Sequence, residues 1–341
     1  MNKKEKFFIT GGFGYIGTAF AKAALKRGFA VALYDSLIYE QNFHKIKKEI
    51  LADSKKRETK FIIGDNRNTE LLEKSLKEFK PTYVLHFGEL SSVYMCNHNP
   101  AYTEDINYNA SKEVINICAK LKVPVIYNSS SSVYGNQKKI KPMKENDHLP
   151  EPTDNYCKYK LMMEEHIKEK VKKNPNFKII VFRPATVCGL APRMRLELLP
   201  NHFTYCAVAK GLLRISELNA YRAAIDIEDL VDGYFKVIEK GKWKKLIYNI
   251  GHYNMSKKQF GTGIQKVVKC KIGPIADIGD LRNLQIDCSL FNKEFNFRPE
   301  KQYTTTIKEV ADWIENNLVE IEHTNYAGLI NMSLEKWLKL I

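Results

Sequence analysis

The chain has 341 residues and a formal net charge of +15, a length that points to two domains or to one large domain with a smaller lobe. No apolar run approaches the roughly 18 residues of a membrane span. The seven cysteines are scattered, with no Cys-x-x-Cys pair and no histidine cluster at zinc spacing, which argues against a disulfide framework and against a metal site.

The excess lysines are spread along the whole chain, with only short clusters such as Lys55-Lys56-Arg57 and no aromatic-basic platform. The charge therefore reads as a solvated surface with some attraction for phosphorylated small molecules, not as a nucleic-acid interface. Phe7-Phe8-Ile9, behind a basic Met1–Lys6, is too short for a signal h-region, so a cytoplasmic protein is expected.

That apolar run is the first predicted strand. It leads into Thr10-Gly11-Gly12-Phe13-Gly14-Tyr15-Ile16-Gly17, and a helical pattern follows to about Arg27. Strand, glycine turn and helix form the context in which Gly-x-Gly-x-x-Gly signals dinucleotide binding. Gly11 and Gly12 allow a tight turn at positive φ. Gly14 leaves room for a pyrophosphate, and Gly17 lets the helix pack closely on the strand. The second strand, Ala30–Tyr34, ends in Asp35, about 20 residues past the turn, where an acid suits the adenosine ribose and disfavours the extra phosphate of NADP.

Phe61-Ile62-Ile63-Gly64-Asp65 is a third strand ending in an acid, and Leu71–Phe79 a helix. Tyr83–Gly88 is the fourth strand. A long helical pattern runs from Asn99-Pro100 through Ile106, Val114, Ile117 and Leu121, and Pro124–Tyr127 is the fifth strand, running into Asn128-Ser129-Ser130-Ser131-Ser132-Val133-Tyr134-Gly135. After a proline-rich loop, Pro142–Pro152, a helix is predicted from Asp154 to about Lys172 and a sixth strand over Phe177–Phe182. This alternation implies an α/β fold, a parallel sheet with helices on both faces and ligands beyond the strands' carboxyl ends. Past Arg183-Pro184 the alternation fades. Ala224–Ile227 reads as a strand returning to the main sheet, Glu228–Glu239 as a helix and Thr306–Leu318 as a terminal helix. The predicted organisation is a dinucleotide-binding domain over 1–183, with 222–250 returning to it, a smaller lobe from 184–221 and 251–318, and a tail over 319–341.

Tyr156 and Lys160 stand at i and i+4, on one helix face. An ammonium there, with a cationic nicotinamide, lowers the tyrosine pKa toward working pH, so the phenol acts as a general base on a hydroxyl. Three other pairs share the spacing, Tyr108/Lys112, Tyr134/Lys138 and Tyr253/Lys257, but only Tyr156 follows a serine-rich strand end.

Thr10–Gly17, Asp35, Gly64-Asp65, His86–Gly88, Ser129–Gly135 and Tyr156/Lys160 together resemble the extended short-chain dehydrogenase/reductases, and within them the NAD-dependent nucleotide-sugar epimerase/dehydratase family. The resemblance runs to about Pro299. It implies a Rossmann-type doubly wound parallel sheet, a smaller mixed α/β substrate lobe, NAD as cofactor and a homodimer. It assigns catalysis to Ser130, Tyr156 and Lys160. Gly11, Gly14, Tyr15, Ile16, Gly17, Asp35, Asp65, Asn66, Phe87, Gly88, Asn107 and Pro184 join Tyr156 and Lys160 around the cofactor. Ser92, Ser132, Thr186, Arg193, Arg195, Asn201, Arg222 and Arg282 go to a nucleotide-diphosphate sugar.

Family dehydratases carry Thr-Asp-Glu where this chain has Ser130-Ser131-Ser132, and family decarboxylases a glutamate at the place of Ser132. Both reactions are disfavoured. The implied function is a 4-epimerase working through a transient 4-keto sugar, in surface-polysaccharide or glycoconjugate sugar biosynthesis. One departure counts against the usual substrate: before Gly279-Asp280, where the family has an arginine, stand Asp277 and Ile278, with Arg282 as a substitute. A C4 dehydrogenase that releases its keto sugar, for example a heptose, is the enzymatic alternative, and a non-catalytic NAD-binding regulator the alternative of another class.

Overall fold

The computed structural model describes residues 5–38, 43–52, 54, 58–137, 141–274 and 282–324. In chain order the elements are β1 (Lys6–Thr10), α1 (Tyr15–Lys26), β2 (Ala30–Asp35), α2 (Phe43–Ala52), β3 (Thr59–Ile63), α3 (Thr69–Phe79) and β4 (Tyr83–His86). Then come α4 (Val93–His98), α5 (Pro100–Glu104), a π-turn (Asp105–Ala110), α6 (Ser111–Leu121), β5 (Val125–Asn128), a 3-10 turn (Ser131–Tyr134), β6 (Pro142–Met143), α7 (Asn155–Lys173) and β7 (Ile179–Pro184). The remainder holds β8 (Thr186–Cys188), α8 (Leu199–Lys210), β9 (Leu212–Ile215), β10 (Tyr221–Asp226), α9 (Ile227–Lys240), β11 (Ile247–Ile250) and β12 (Tyr253–Ser256). It closes with α10 (Lys257–Gln265), β13 (Lys271–Pro274), β14 (Gln285–Ile286), α11 (Ser289–Phe295) and α12 (Tyr303–Thr324).

The chain divides into two compact units. The first is Met1–Gly135, His148–Arg183 and Tyr234–Tyr248; the second is Asn136–Asp147, Pro184–Gly233 and Asn249–Ile341.

The main sheet has the order β11-β7-β5-β4-β1-β2-β3, and its pairings from β7 to β3 are all parallel. Strand order reverses between β1 and β4, which opens a crevice at their carboxyl ends. A strand covered on both faces is apolar throughout, not at every second residue. Phe7-Phe8-Ile9 and Val31–Tyr34 obey this, each residue at 0% exposure. On one face Leu72, Leu76, Val114, Ile117, Met163 and Ile167 pack against strand residues Phe8, Val84, Val125 and Val181.

The long helix predicted from Asn99 to Leu121 is not uniform. It is α5 and α6 joined through the π-turn, an insertion that periodicity over a long window averages away.

The second unit holds a sheet ordered β12-β10-β8, with β13-β9 and β14-β6 as two-stranded pieces. The strand expected to return to the main sheet is here corrected. β10 pairs with β8 in parallel and with β12 antiparallel, while β11 is the strand that extends the main sheet. An unbroken apolar run such as Ala223-Ala224-Ile225 is buried in either sheet, so its composition carries no record of its partner. Phe203, Leu213, Ile215, Phe260, Ile264, Tyr303 and Ile307 form this unit's core. The Gly279-Asp280 stretch and residues 325–341 lie outside the described residues.

Candidate active site

At the crevice, Gly11 has φ of +64° and the Gly12 N–H closes the turn onto the Tyr34 carbonyl at 3.2 Å. Gly12 itself is not at positive φ, contrary to the expectation from the sequence. Glycine is required there by space, since a Cβ would lie 2.6 Å from the Leu33 side chain. A Cβ on Gly17 would lie 2.3 Å from the Gly11 carbonyl oxygen, and one on Gly11 2.7 Å from the Gly88 backbone. The β1 and β4 turns therefore touch. Helix α1 starts at Gly14 without a side-chain cap, so its first N–H groups face the turn and suit an anionic diphosphate. Asp35 lies beside them, its Oδ2 accepting from Phe13 N–H at 2.9 Å and its Oδ1 from Leu37 N–H at 2.8 Å. A glycine cradle with a carboxylate at the end of β2 fits a dinucleotide's pyrophosphate and ribose.

Around it, Tyr15 is buried, and Asn66 donates to the Gly88 carbonyl at 2.8 Å. The Asp65 carboxylate is ion-paired with Arg67 at 2.8 Å. Burial alone would raise its pKa, but the bonds and charge of Arg67 outweigh burial and hold it below the usual range. The Phe87 ring lies 5.5 Å from that of Tyr234. Ile16 is half-buried in the first turn of α1, and Pro184 is buried at the end of β7.

Asn107, from the π-turn, supports the site from below. It is 0% exposed, and its amide brackets Leu90, accepting from the Leu90 N–H and donating to the Leu90 carbonyl, both at 2.8 Å. It acts as a strut that fixes the loop after β4.

Asp154 caps α7 by accepting from Cys157 N–H at 2.8 Å, which sets Tyr156 and Lys160 in the first turns of the helix. The Lys160 ammonium lies 5.7 Å from the Tyr156 ring centre and donates to the Asn128 carbonyl at 2.5 Å. The Ser130 hydroxyl lies close enough to favour the ionised Tyr156 phenol, and Ser130 Oγ accepts from Ser132 N–H at 3.1 Å. A hydroxyl from the turn after β5 and a phenol and an ammonium from α7 thus converge in the first unit. Beneath the serine strap runs a buried ion pair. Glu164 accepts from Arg183 at 2.5 and 2.9 Å and from Ser129 at 2.5 Å, and Arg183 donates to the Tyr134 hydroxyl at 2.9 Å.

One participant escapes the sequence motifs. Glu89, directly after Gly88, forms an ion pair with Lys160, and its side chain is 3% exposed. Ser111 donates to its other oxygen at 3.2 Å, and His86 lies 3.8 Å away. Burial, aided by the Lys160 charge, pushes the imidazole of His86 down to about 3, so it is neutral; its Nδ1 is bonded to Thr10 Oγ1 at 2.6 Å. The only trace of this arrangement in the sequence is an acidic residue in an otherwise apolar and small stretch.

Burial dominates the balance of effects on the tyrosine. Burial raises the Tyr156 phenol above the ordinary value of 10; Lys160 and Ser130 pull the other way, and Glu89 adds to the rise. Burial of the phenol outweighs the Lys160 ammonium and the Ser130 hydroxyl together.

The second unit carries the residues assigned to the substrate, apart from Ser92 and Ser132. Ser92 caps α4, and Ser132 begins its exposure to solvent within the serine strap. Thr186 sits on β8 opposite Ala224. Arg222, on β10, is 4% exposed and donates to the Tyr221 carbonyl at 2.8 Å. Tyr221 is tied on both sides to the segment after Arg282, through Asn283 Oδ1 at 2.8 Å and Leu284 N–H at 3.1 Å, which brings Arg282 close to β10. Arg195 pairs with Glu197 at 2.6 Å. Burial works against that carboxylate's charge, but Arg195 and Arg193 together hold its pKa below the usual range. Asn201, 0% exposed, bridges Gly189 N–H and the Arg195 carbonyl at 3.1 and 2.9 Å, so it shapes the arginine loop from beneath. Among the described residues no His, Cys, Asp and Glu group is arranged to hold a metal ion, and no helix is long and apolar enough to cross a membrane.

The pea (Pisum sativum) bifunctional UDP-glucose 4-epimerase and UDP-xylose 4-epimerase 1 is 25% identical over 342 aligned residues, covering 92% of this chain and 96% of the relative. UDP-arabinose 4-epimerase 1 of Arabidopsis thaliana is 27% identical over 356, covering 96% and 82%. Among solved structures, UDP-glucose 4-epimerase from Stenotrophomonas maltophila, with bound NAD and formylated UDP-arabinopyranose, superposes with a TM-score of 0.82 at 19% identity, over 93% of this chain and 99% of that one. The dTDP-glucose 4,6-dehydratase from Bacillus anthracis, in complex with NAD, gives 0.79 at 21%, over 92% and 97%. The model of the NAD dependent epimerase/dehydratase family matches residues 7–251, well over half of the sequence, and the chain belongs to that NAD-dependent family of enzymes.

Proposed function

We propose that the protein is a nucleotide-sugar 4-epimerase. The observation that carries this reading is the convergence of Ser130, Tyr156 and Lys160 beside the β1–β4 crevice, with serines and no carboxylate in the strap at Ser130–Ser132. Gly11, Gly14, Gly17 and Asp35 would hold NAD, which supplies reversible two-electron oxidation when bound. Tyr156 removes the proton from the sugar 4-hydroxyl as C4 becomes a ketone, and Ser130 holds that oxygen by a second hydrogen bond. The same phenol returns the proton after the sugar has turned its other face, and Lys160 fixes the phenol's position and charge. Elimination of water would need an additional acid and base in the strap, where this chain offers only hydroxyls. Arg193, Arg195, Arg222 and Arg282 are the cations assigned to the substrate diphosphate. The pea and Arabidopsis relatives act on UDP-glucose, UDP-xylose or UDP-arabinose by their names, so uridine-diphosphate hexoses and pentoses head the substrate panel. A homodimer supplying sugars for surface polysaccharide completes the reading.

The test is product stereochemistry by NMR after incubation with a panel of nucleotide sugars. A redox-neutral C4 isomer is expected. Tyr156→Phe should lower kcat by roughly 10²–10⁴ while the protein stays folded, and a variant retaining most activity removes the mechanism. The replacement of the family's arginine by Asp277 and Ile278 favours a second reading, a C4 dehydrogenase. That reading requires a free 4-keto sugar with stoichiometric reduction of the cofactor.

A further inference from the structure

We propose that Glu89 is a positioning residue of this site: its buried carboxylate holds the Lys160 ammonium in place and screens it from Tyr156, and thereby sets the pH range in which the phenol gives up its proton. The proposal rests on Tyr156 being the acid/base group of the reading above.

The geometry sets Glu89 apart from an incidental surface acid. Its side chain and that of Lys160 are 3% and 6% exposed, and they form a direct ion pair. The loop that carries it is held at both ends. His86 is locked by Thr10 on one side, and Leu90 is bracketed by Asn107 of the π-turn on the other. Ser111, just past the π-turn, aims the carboxylate through a hydrogen bond to Oε1. Buried ion pairs add little net stability over apolar packing of the same volume. Four side chains from β1, β4, the π-turn and α6 are nevertheless arranged to keep this one in place. Such support suits a charge whose position matters to the chemistry.

The charges around the pair define the sign. Facing Tyr156 and Lys160 are Glu89 from the loop after β4, Tyr127 from β5 with its ring 4.9 Å from the ammonium, Cys96 from α4 and Cys157 on α7 itself; His86 is neutral. Glu89 contributes the single carboxylate in that set. Its carboxylate stabilises the ammonium and opposes a second negative charge on the phenol. With Glu89 neutral, the first proton to leave the coupled Tyr156–Lys160 pair leaves at lower pH.

Ultraviolet titration of tyrosinate in the full-length protein as purified provides the direct test. Each protein is read against its own Tyr156→Phe counterpart, which isolates the Tyr156 signal from the other tyrosines. Glu89→Gln should move the midpoint down by about one pH unit, equivalent to roughly tenfold more phenolate at fixed pH. Glu89→Asp keeps the charge but draws it back by one methylene, and should give a shift of the same sign and smaller size. The acid limb of kcat/KM should move in parallel. A purely structural role predicts a lower Tm with an unmoved midpoint, and that result overturns the proposal. Should Glu89→Gln fail to fold, Glu89→Asp decides alone: a downward shift supports the proposal and no shift overturns it. A shifted midpoint in a protein that turns over no nucleotide sugar leaves the Glu89 assignment standing and removes the proposed function instead.

Discussion

Asp226 at the end of β10 illustrates how one side chain is pulled by competing effects. Its carboxylate is 1% exposed, accepts from Thr306 Oγ1 at 2.6 Å and from Glu228 N–H at 2.7 Å, yet burial wins and raises its pKa to about 6. The folded value lies above the unfolded value of 3.8, so the folded state binds this proton more tightly. The stability this provides is complete below pH 3.8 and is lost as pH rises through about 6. Above that pH the buried charge costs about 3 kcal/mol relative to the protonated form. Asp226→Asn keeps the shape and removes the charge. Its Tm should exceed that of the wild type at pH 8, and the difference should vanish near pH 4. An asparagine variant less stable than wild type at pH 8 contradicts this account. The residue was visible in the sequence only as the acid closing an apolar run; its burial depends on Thr306, far along the chain. Glu89 escaped the sequence reading for the same reason. Its meaning lies in Lys160, and no local pattern joins the two, whereas Tyr156 and Lys160 share a helix turn and announce each other.

At the scale of elements, the glycine turn separates two kinds of requirement that the motif writes with one letter. Gly17 is a packing glycine: any Cβ there meets the Gly11 carbonyl at 2.3 Å, and that backbone cannot move without displacing the turn. Gly14 has extended backbone, φ of −74° and ψ of 174°, and its nearest neighbour to an added Cβ is the same carbonyl at 3.1 Å. Gly17→Ala should therefore lower stability by about 3 kcal/mol, at the upper end of overpacking costs, and lower Tm whether or not dinucleotide is present. Gly14→Ala should leave Tm close to wild type and weaken NAD binding by about tenfold or more, read by titration calorimetry. Equal losses of Tm in both variants would show that the turn is a single packing unit. This strand–turn–helix was legible because all its determinants lie within twelve residues of one another. The pairing of β10 was not, because an apolar strand records that it is buried and not which strand lies beside it. The π-turn was hidden for a third reason: Asn107 looks like any polar residue of an amphipathic helix until Leu90 is seen between its amide atoms.

For the molecule as a whole, the net charge of +15 is the property that composition makes plainest and motifs explain least. Many of the lysines are solvated: Lys77, Lys120, Lys141, Lys173 and Lys308 keep 59–79% of their side-chain surface exposed, even where each lies beside an acid. Pairs of that kind contribute little to stability, so the excess acts mainly as a long-range field. A nucleotide-diphosphate sugar is an anion, and a positive field raises its encounter rate over distances comparable to the Debye length, which shrinks from about 10 Å at 0.1 M salt to about 3 Å at 1 M. Buried groups such as Lys160 and Glu89 are screened far less. Salt should therefore separate the two roles of charge. Between 0.1 and 1 M sodium chloride kcat/KM should fall several-fold, while kcat and the pH midpoint of Tyr156 stay nearly constant. If kcat falls in proportion to kcat/KM, the added ions are reaching the catalytic charges themselves, and the pairing of Lys160 with Glu89 is more open to solvent than its burial implies.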